Sequence, residues 1–422
     1  EYCRRLFNEQ TGYDIPDYRD SSVFGNYESP VFRAWLKFRF ETMGNFLSEV
    51  KAVLDSVKKE MLFTGCYCEA MSPFVASYYG MDLEDMNRSL NFSFFECEPA
   101  NPWSFRYNVA EASYYRAFGP SFYLGYSANP TQQFYNWAFA KTCGLTLWVF
   151  PQIKIEFPYL WEKKWEKVFM DDGVLCNTAI VFSSPSKNYF RDAYKTVNEY
   201  QGWAQAMLEN HIPFETVITS KLSSTDLKKY STLILPDVAC MSDNEINEIR
   251  KYVRDGGHIV ATGRTSQYDE TGNKRTEPGI TELFRGEQGK GKAVYMEGMP
   301  GIEYFVPKIG GGRAGEGGVW KDDRNAGIRD RMIEAATANQ SDPVIRTVNI
   351  DPEIVVIPYY QVSEGYKGIS VHLLNCLGTR YEGTIMTPED IAYEYTDYPS
   401  PNDYITNGGK MKIAVRSEDV SK

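Results

Sequence analysis

Apolar positions in the first third of the chain recur at two different periods. After Ser29-Pro30, the residues Trp35, Leu36, Arg39, Met43, Phe46, Leu47, Val50, Val53, Leu54 and Val57 follow at spacings of mostly three and four. That spacing predicts one mainly apolar stripe along about eight turns of helix. Ser29 reads as its N-cap and Pro30 as its first helical residue. Four strand-like runs follow: Met61–Cys68, Leu90–Glu96, Ser121–Tyr126 and Gly144–Phe150. Helical patterns at Ala110–Phe118 and Gln132–Thr142 separate the last three runs. Four strands with intervening helices amount to half of a (β/α)8 barrel. A half-barrel alone has two raw sheet edges, so the expectation is four more strands upstream or another partner for the sheet.

The α/β rhythm is plainer from about 166 onward. Strands are expected at Thr178–Ser183, Phe214–Thr219, Thr232–Leu235 and His258–Thr262, with helices at Lys195–Asn210, Ser224–Tyr230 and Ser242–Arg254. Ser242 with Glu245 three residues on has the form of a capping box, and Gly256-Gly257 stops that helix. The alternation predicts a doubly wound, flavodoxin-like sheet. The run Gly310-Gly-Gly-Arg-Ala-Gly-Glu-Gly-Gly318 follows no clear strand and does not have P-loop spacing, so it reads as a connector. From about 341 the pattern becomes short β runs, at Val344–Val348, Ile354–Val362, Ile369–Leu374 and Met411–Val415, punctuated by Pro and Gly. A small antiparallel β domain is expected there. The three units are thus 1–165, 166–340 and 341–422.

Composition narrows the function classes. The formal charge is −11, with a pI near 5.1, which argues against a nucleic-acid partner. Only three histidines occur in 422 residues, His211, His258 and His372, so histidine-rich metal sites and Ser/His/Asp machinery have few candidates. No apolar run reaches the ~18 residues that span a membrane. The eight cysteines are scattered, several within apolar runs, as buried thiols would be. No cofactor or metal ion is implied, and with no visible signal peptide the cytoplasm is the expected location. Aromatic residues make up 15%, which suits either sugar stacking or a large aromatic core.

The most chemically loaded point is Phe94-Phe-Glu96-Cys-Glu98-Pro99. Side chains alternate along a strand, so Phe92, Phe94, Glu96 and Glu98 share one face. Barrel chemistry sits at the C-terminal ends of the strands, where Glu96 and Glu98 fall. Glu69 is expected at the same level one strand earlier, and Trp103 just after Glu98 as a sugar platform. Tyr126, Asn129 and Trp148, at the ends of two other strands, are candidate substrate contacts. The competing reading of these carboxylates is a solvated loop. Cys240 lies near a strand end, but it lacks neighbouring glycines and precedes the Ser242 cap, so it reads as a buried, inert thiol rather than a nucleophile.

Three segments carry a resemblance. Tyr2-Cys-Arg-Arg-Leu-Phe-Asn-Glu-Gln-Thr-Gly-Tyr-Asp-Ile-Pro16, Leu233-Ile-Leu-Pro-Asp-Val-Ala-Cys-Met-Ser-Asp-Asn-Glu245 with Tyr252-Val-Arg-Asp-Gly-Gly257, and Val371-His-Leu-Leu-Asn375 are similar to the glycoside hydrolase family 42 pattern. The resemblance extends over essentially the whole chain. It implies the C-terminal half of a TIM-barrel catalytic domain, a trimerisation domain related to class I glutamine amidotransferases, and a C-terminal β domain. It further implies a carbohydrate substrate, a two-carboxylate mechanism and a homotrimer. In the family an Asn-Glu pair at the end of barrel strand 4 supplies the general acid/base. That pair is expected upstream of Glu1, and Asn8-Glu9 reads as a surface pair. Cys3 is either a remnant of the family's zinc cluster or a plain thiol. The chain departs from the family pattern where the nucleophile is expected: Tyr123-Leu-Gly-Tyr-Ser-Ala-Asn-Pro130 contains no carboxylate. Either Glu96 or Glu98 takes that role, or the chain is a non-catalytic sugar-binding or assembly protein.

Overall fold

The computed structural model describes residues 1–68, 70–97, 105–125, 130–148, 157–165, 171–286, 289–304, 325–340, 343–352, 354–363, 366–375 and 412–415. Helices α1 (Tyr2–Thr11) and α2 (Pro30–Val57) come first. A parallel sheet then forms in the order β1 (Cys66–Cys68), β2 (Ser93–Cys97), β3 (Ser121–Gly125), β4 (Thr146–Trp148). The connections carry α3 (Pro73–Val75), a π-helical turn at Ala76–Gly80, α4 (Leu83–Met86), α5 (Phe105–Arg116) and α6 (Pro130–Thr142). Then come α7 (Phe157–Lys164) and β5 (Asp171–Val174).

The second parallel sheet is built from β6 (Thr178–Phe182), β7 (Glu215–Ile218), β8 (Thr232–Leu235), β9 (His258–Thr262) and β10 (Lys292–Met296), in the spatial order β10-β9-β8-β6-β7. Around it lie α8 (Ser184–Asn188), α9 (Tyr194–Glu209), α10 (Asp243–Arg254), α11 (Pro300–Tyr304) and α12 (Ala326–Thr337). Antiparallel pairs complete the fold: β11 (Ile345–Val348) with β14 (Lys412–Val415), and β12 (Ile354–Ser363) with β13 (Tyr366–Asn375) and with β5. The chain is therefore mixed α/β with two parallel sheets.

Several sequence expectations meet a physical limit here. Ser242 and Glu245 do close a capping box, each bonding the other's backbone N–H. Ser29 makes no side-chain cap, so Pro30 alone starts α2. The Ser224–Tyr230 helix is reduced to a 3-10 turn, Leu227–Lys229, capped by Asp226. The apolar stripe of α2 is used along only part of its length. Leu36 and Leu47 are buried, whereas Phe46, Val53 and Val57 are exposed. Strand β10 was not foreseen; it is a largely exposed edge strand that leaves a weak alternation signal.

One core runs through all parts. Tyr67, Phe95 and Tyr123 of the first sheet join Ile180, Phe182 and Ile234 of the second through α5 and α9, and Val355 and Leu374 extend it into the C-terminal sheet.

Candidate functional site

The two faces of the first sheet differ in kind. Tyr67, Phe95 and Tyr123 occupy neighbouring strands on the helix-covered face. Phe95 stacks on Tyr115 of α5 with ring centroids 4.5 Å apart, and Tyr123 meets Phe139 of α6 at 4.9 Å. The Tyr115 hydroxyl donates to the Tyr67 carbonyl and accepts from the Ala70 N–H, both at 3.2 Å. Burial holds its pKa well above the ordinary tyrosine value. Phe94, Glu96, Phe122, Leu124 and Trp148 alternate with these residues and so belong to the opposite face.

That second face is an aromatic floor ending in a carboxylate. Phe94 meets Trp148 at 5.6 Å and Phe122 meets Trp148 at 6.2 Å, both edge to face; Phe92 meets Phe122 at 4.5 Å. The parallel register places Cys68, Glu96, Leu124 and Trp148 in one row across the sheet. Glu96 and Trp148 are two strands apart, about 9–10 Å between backbones. Glu96 is the penultimate residue of β2 and half-buried. Trp148 ends β4 and is half exposed. Both therefore sit at the C-terminal edge of the sheet, on the face opposite α5 and α6.

Of the expected site residues, Glu96 and Trp148 are thus brought together. Glu98, Glu69, Trp103, Tyr126 and Asn129 lie outside the described residues. Phe94 and Phe122 join the floor; Phe122 was not singled out from sequence, although its place one residue from the buried Tyr123 was a usable signal. At the end of β3, a Cβ on Gly125 would come within 2.6 Å of the Asn136 amide. The strand end is therefore closed to any larger residue.

The second sheet offers a contrasting crevice. Its order reverses between β6 and β8, the position where doubly wound sheets usually take ligands. Here the chain fills that position itself. Ser183 Oγ donates to the Cys240 carbonyl at 3.0 Å, and Ser186 Oγ accepts from the Cys240 N–H at 2.8 Å. Asp237, in left-handed backbone at φ 47, takes the Arg264 guanidinium through Oδ1 at 3.1 Å and Oδ2 at 2.7 Å. Lys187, fully buried, bonds the Ala70 carbonyl and Asp82, each at 3.0 Å, and so ties this sheet to the first. Cys240 is buried, and burial pushes its thiol well above the usual range. The histidines work elsewhere: His211 against Thr347 and Asp351, His258 against Ala335, and His372 against Lys141. A thiolate nucleophile with a histidine base has no basis in this geometry.

Cys3 is exposed on α1, and among the described residues no three His, Cys, Asp or Glu groups gather as metal ligands. Nor is any described helix long and apolar enough to cross a membrane.

Comparison with known proteins agrees with these two sheets. The model of the β-galactosidase trimerisation domain matches residues 176–296, the segment that builds β6 to β10. Among solved structures, Gan42B, a GH42 β-galactosidase from G. stearothermophilus, superposes with a TM-score of 0.61 at 12% identity, over 87% of this chain and 71% of that one. The β-galactosidase of Bacillus circulans sp. alkalophilus gives 0.63 at 11% identity, over 88% and 70%. A GH42 exo-carrageenase from Bacteroides ovatus gives 0.55 at 13% identity, over 89% and 57%. No curated protein matches in sequence. At such identities the structural likeness is one of fold. The chain is thus similar to glycoside hydrolase family 42 proteins: residues 176–296 match the β-galactosidase trimerisation domain, and the chain shares the fold of β-galactosidases of that family.

Proposed function

We propose that the first sheet is one half of a (β/α)8 barrel and that its aromatic face is one wall of a glycoside-cleaving site of β-galactosidase type. The observation that carries this reading is the row that puts Glu96 and Trp148 on the face opposite α5 and α6, at the C-terminal strand ends, beside Phe94 and Phe122. Sugar rings present apolar C–H faces to aromatic rings, while a carboxylate near the scissile bond does the chemistry.

In this reading Glu96 or Glu98 is the nucleophile or general base, and the partner acid comes with the strands that complete the barrel beside β1. Glycoside cleavage needs two carboxyl groups, ~5–5.5 Å apart for retention or ~6.5–9.5 Å for inversion. Trp103, Tyr126, Asn129 and Trp148 contact the sugar. The trimerisation domain makes the protein a homotrimer. The test is hydrolysis of a chromogenic β-galactoside by the full-length polypeptide, with Glu96→Gln and Glu98→Gln compared. One variant is expected to lose about a thousandfold or more in kcat, and its neighbour little. Full activity in both would overturn the assignment and make Glu69 the next candidate.

A second reading is favoured by one observation. The segment from Tyr123 to Pro130 has no carboxylate, and Gly125 leaves no room for one at the end of β3. If the full-length polypeptide binds galactose, read through Trp148 fluorescence, yet cleaves no glycoside, the chain is a carbohydrate-binding or assembly protein.

A further inference from the structure

A polar cleft of about 200 Å³ opens between the C-terminal turn of α5 and strand β7, the edge of the second sheet. It adjoins β3 at the start of that strand, since α5 ends just before Ser121, and so lies at the opposite end of the first sheet from Glu96. Three cationic side chains line it, Arg116, Lys221 and Lys229, with one carboxylate, Glu215. The carboxylate is committed: it accepts from Lys229 Nζ and from the Tyr230 hydroxyl, both at 2.7 Å. Ser113, Thr216 and Thr225 also line the wall; Ser113 and Thr216 bond each other at 2.8 Å, and Thr225 donates to the Lys221 carbonyl at 2.8 Å.

Lys221 is the informative member. Its Nζ donates to the Ala117 carbonyl at 2.7 Å and lies 5.0 Å from the centre of the Phe118 ring. It forms no ion pair among the described residues. Burial lowers its pKa, and Glu84 offsets this only in part. Glu84 is itself pushed upward by burial and by Asp82. A lysine has three donors, and one carbonyl uses one of them. In a chain with a formal charge of −11, a half-buried ammonium that bonds one carbonyl and faces one ring, with Glu84 acting on it without an ion-pair contact, keeps donors that an incoming anion would take.

We infer that this cleft is a binding site for a small tetrahedral oxyanion, a phosphate or sulfate group carried by a small molecule, with Lys221 as its principal contact and Arg116 beside it. The site is remote from the aromatic face and independent of any glycosidase activity. A ligand there would bridge α5 to the second sheet and stiffen the junction between them.

The test is calorimetric titration of the full chain with inorganic phosphate and, separately, with sulfate, at ionic strength held constant with chloride. Saturable binding at one site per chain is expected for at least one of the two, and the tighter of them identifies the ester class. Lys221→Met should weaken it by about tenfold or more, and Lys221→Arg by much less. Thr225→Glu, which places a carboxylate beside Lys221, should abolish binding while the protein stays folded by circular dichroism, and it serves as the test if Lys221→Met does not fold. Lys195→Met, on the exposed side of α9, should bind as the parent does. Absence of saturable heat with both anions overturns the inference, and so does parental affinity in Lys221→Met or Thr225→Glu.

Discussion

At the scale of single residues, the buried ion pair Lys187–Asp82 shows how a contact can hold two units together at little net gain. Both side chains are almost wholly buried, at 0% and 2% exposure. Asp82 also accepts from the Asn188 amide at 3.0 Å and caps Glu84 at the start of α4. Removing one partner leaves a desolvated charge, so Lys187→Met is expected to cost about 3–5 kcal/mol in denaturant unfolding. The double change Lys187→Met with Asp82→Asn should recover much of that loss. Equal damage from the single and double variants would show that the pair is not the unit. Nothing in the sequence announces this contact, because the two residues are 105 positions apart and each has an ordinary neighbourhood.

Two other carboxyls belong to the same scale. Burial raises both Glu199 and Asp85 to about 7. A group whose folded pKa lies above its unfolded value favours the folded state at low pH and loses that contribution as pH climbs through the folded value. Between about pH 4 and 7 these two groups should therefore lower the melting temperature as pH rises, and their effect should level off above about 7. Asp85→Asn should flatten that slope, since the amide keeps the shape but not the titration. The three histidines act in the opposite sense below pH 6.5, because burial lowers all three, so the comparison of Asp85→Asn with the parent isolates the carboxyl. An unchanged slope in Asp85→Asn would remove Asp85 from the account.

At the scale of elements, α9 is the least ordinary helix. Its sequence reads as amphipathic, yet nearly every residue from Thr196 to Glu209 is buried. It lies between α5, the second sheet, α11, α12 and β12. The polar residues that a surface helix would turn to solvent are satisfied inside: Glu199 accepts from Trp203 Nε1, the Thr262 hydroxyl and the Ile302 N–H, and Glu209 from Gln205 and Tyr304. The α11 contact is close enough to forbid a side chain. A Cβ on Gly202 would stand 2.1 Å from the Gly301 carbonyl oxygen, and one on Gly301 would stand 2.4 Å from the Glu199 carbonyl oxygen. Gly202→Ala should therefore destabilise by about 1–3 kcal/mol or more, although alanine favours helix in isolation. A stability equal to the parent's in chemical denaturation would count against this packing. Elements that the sequence specifies by itself were legible: the capping box of α10, and β8 and β9 to the residue. The burial of α9 and the idle half of the α2 stripe were not, because periodicity says which face is apolar and not how many neighbours arrive to cover it. For the same reason the alternation along β2 placed Glu96 correctly on the face of Phe94, while the row shared with Trp148 depended on a register that no local pattern encodes.

At the scale of the whole molecule, several large apolar side chains among the described residues stand exposed. Phe46, Val53 and Val57 stand out from α2. Phe74 of α3 and Tyr78 and Tyr79 of the π-helical turn form an outward aromatic group, in which Phe74 and Tyr78 stack at 5.0 Å. Tyr295 is exposed on β10, at the open edge of the second sheet. Edge strands and contiguous apolar patches are the surfaces that proteins normally cover. The segment that builds β10 lies inside the match to a trimerisation domain, so an assembly of identical chains is the economical cover. Light scattering at micromolar concentration should give about three times the 48.3 kDa chain mass, and Tyr295 should become protected from surface labelling on assembly. Burial of apolar surface drives such association, so the trimer should persist in moderate salt, where an assembly held by surface ion pairs would weaken. A monomer across the accessible concentration range, with Tyr295 and Tyr78 equally reactive, would mean that these surfaces are covered by something other than this chain.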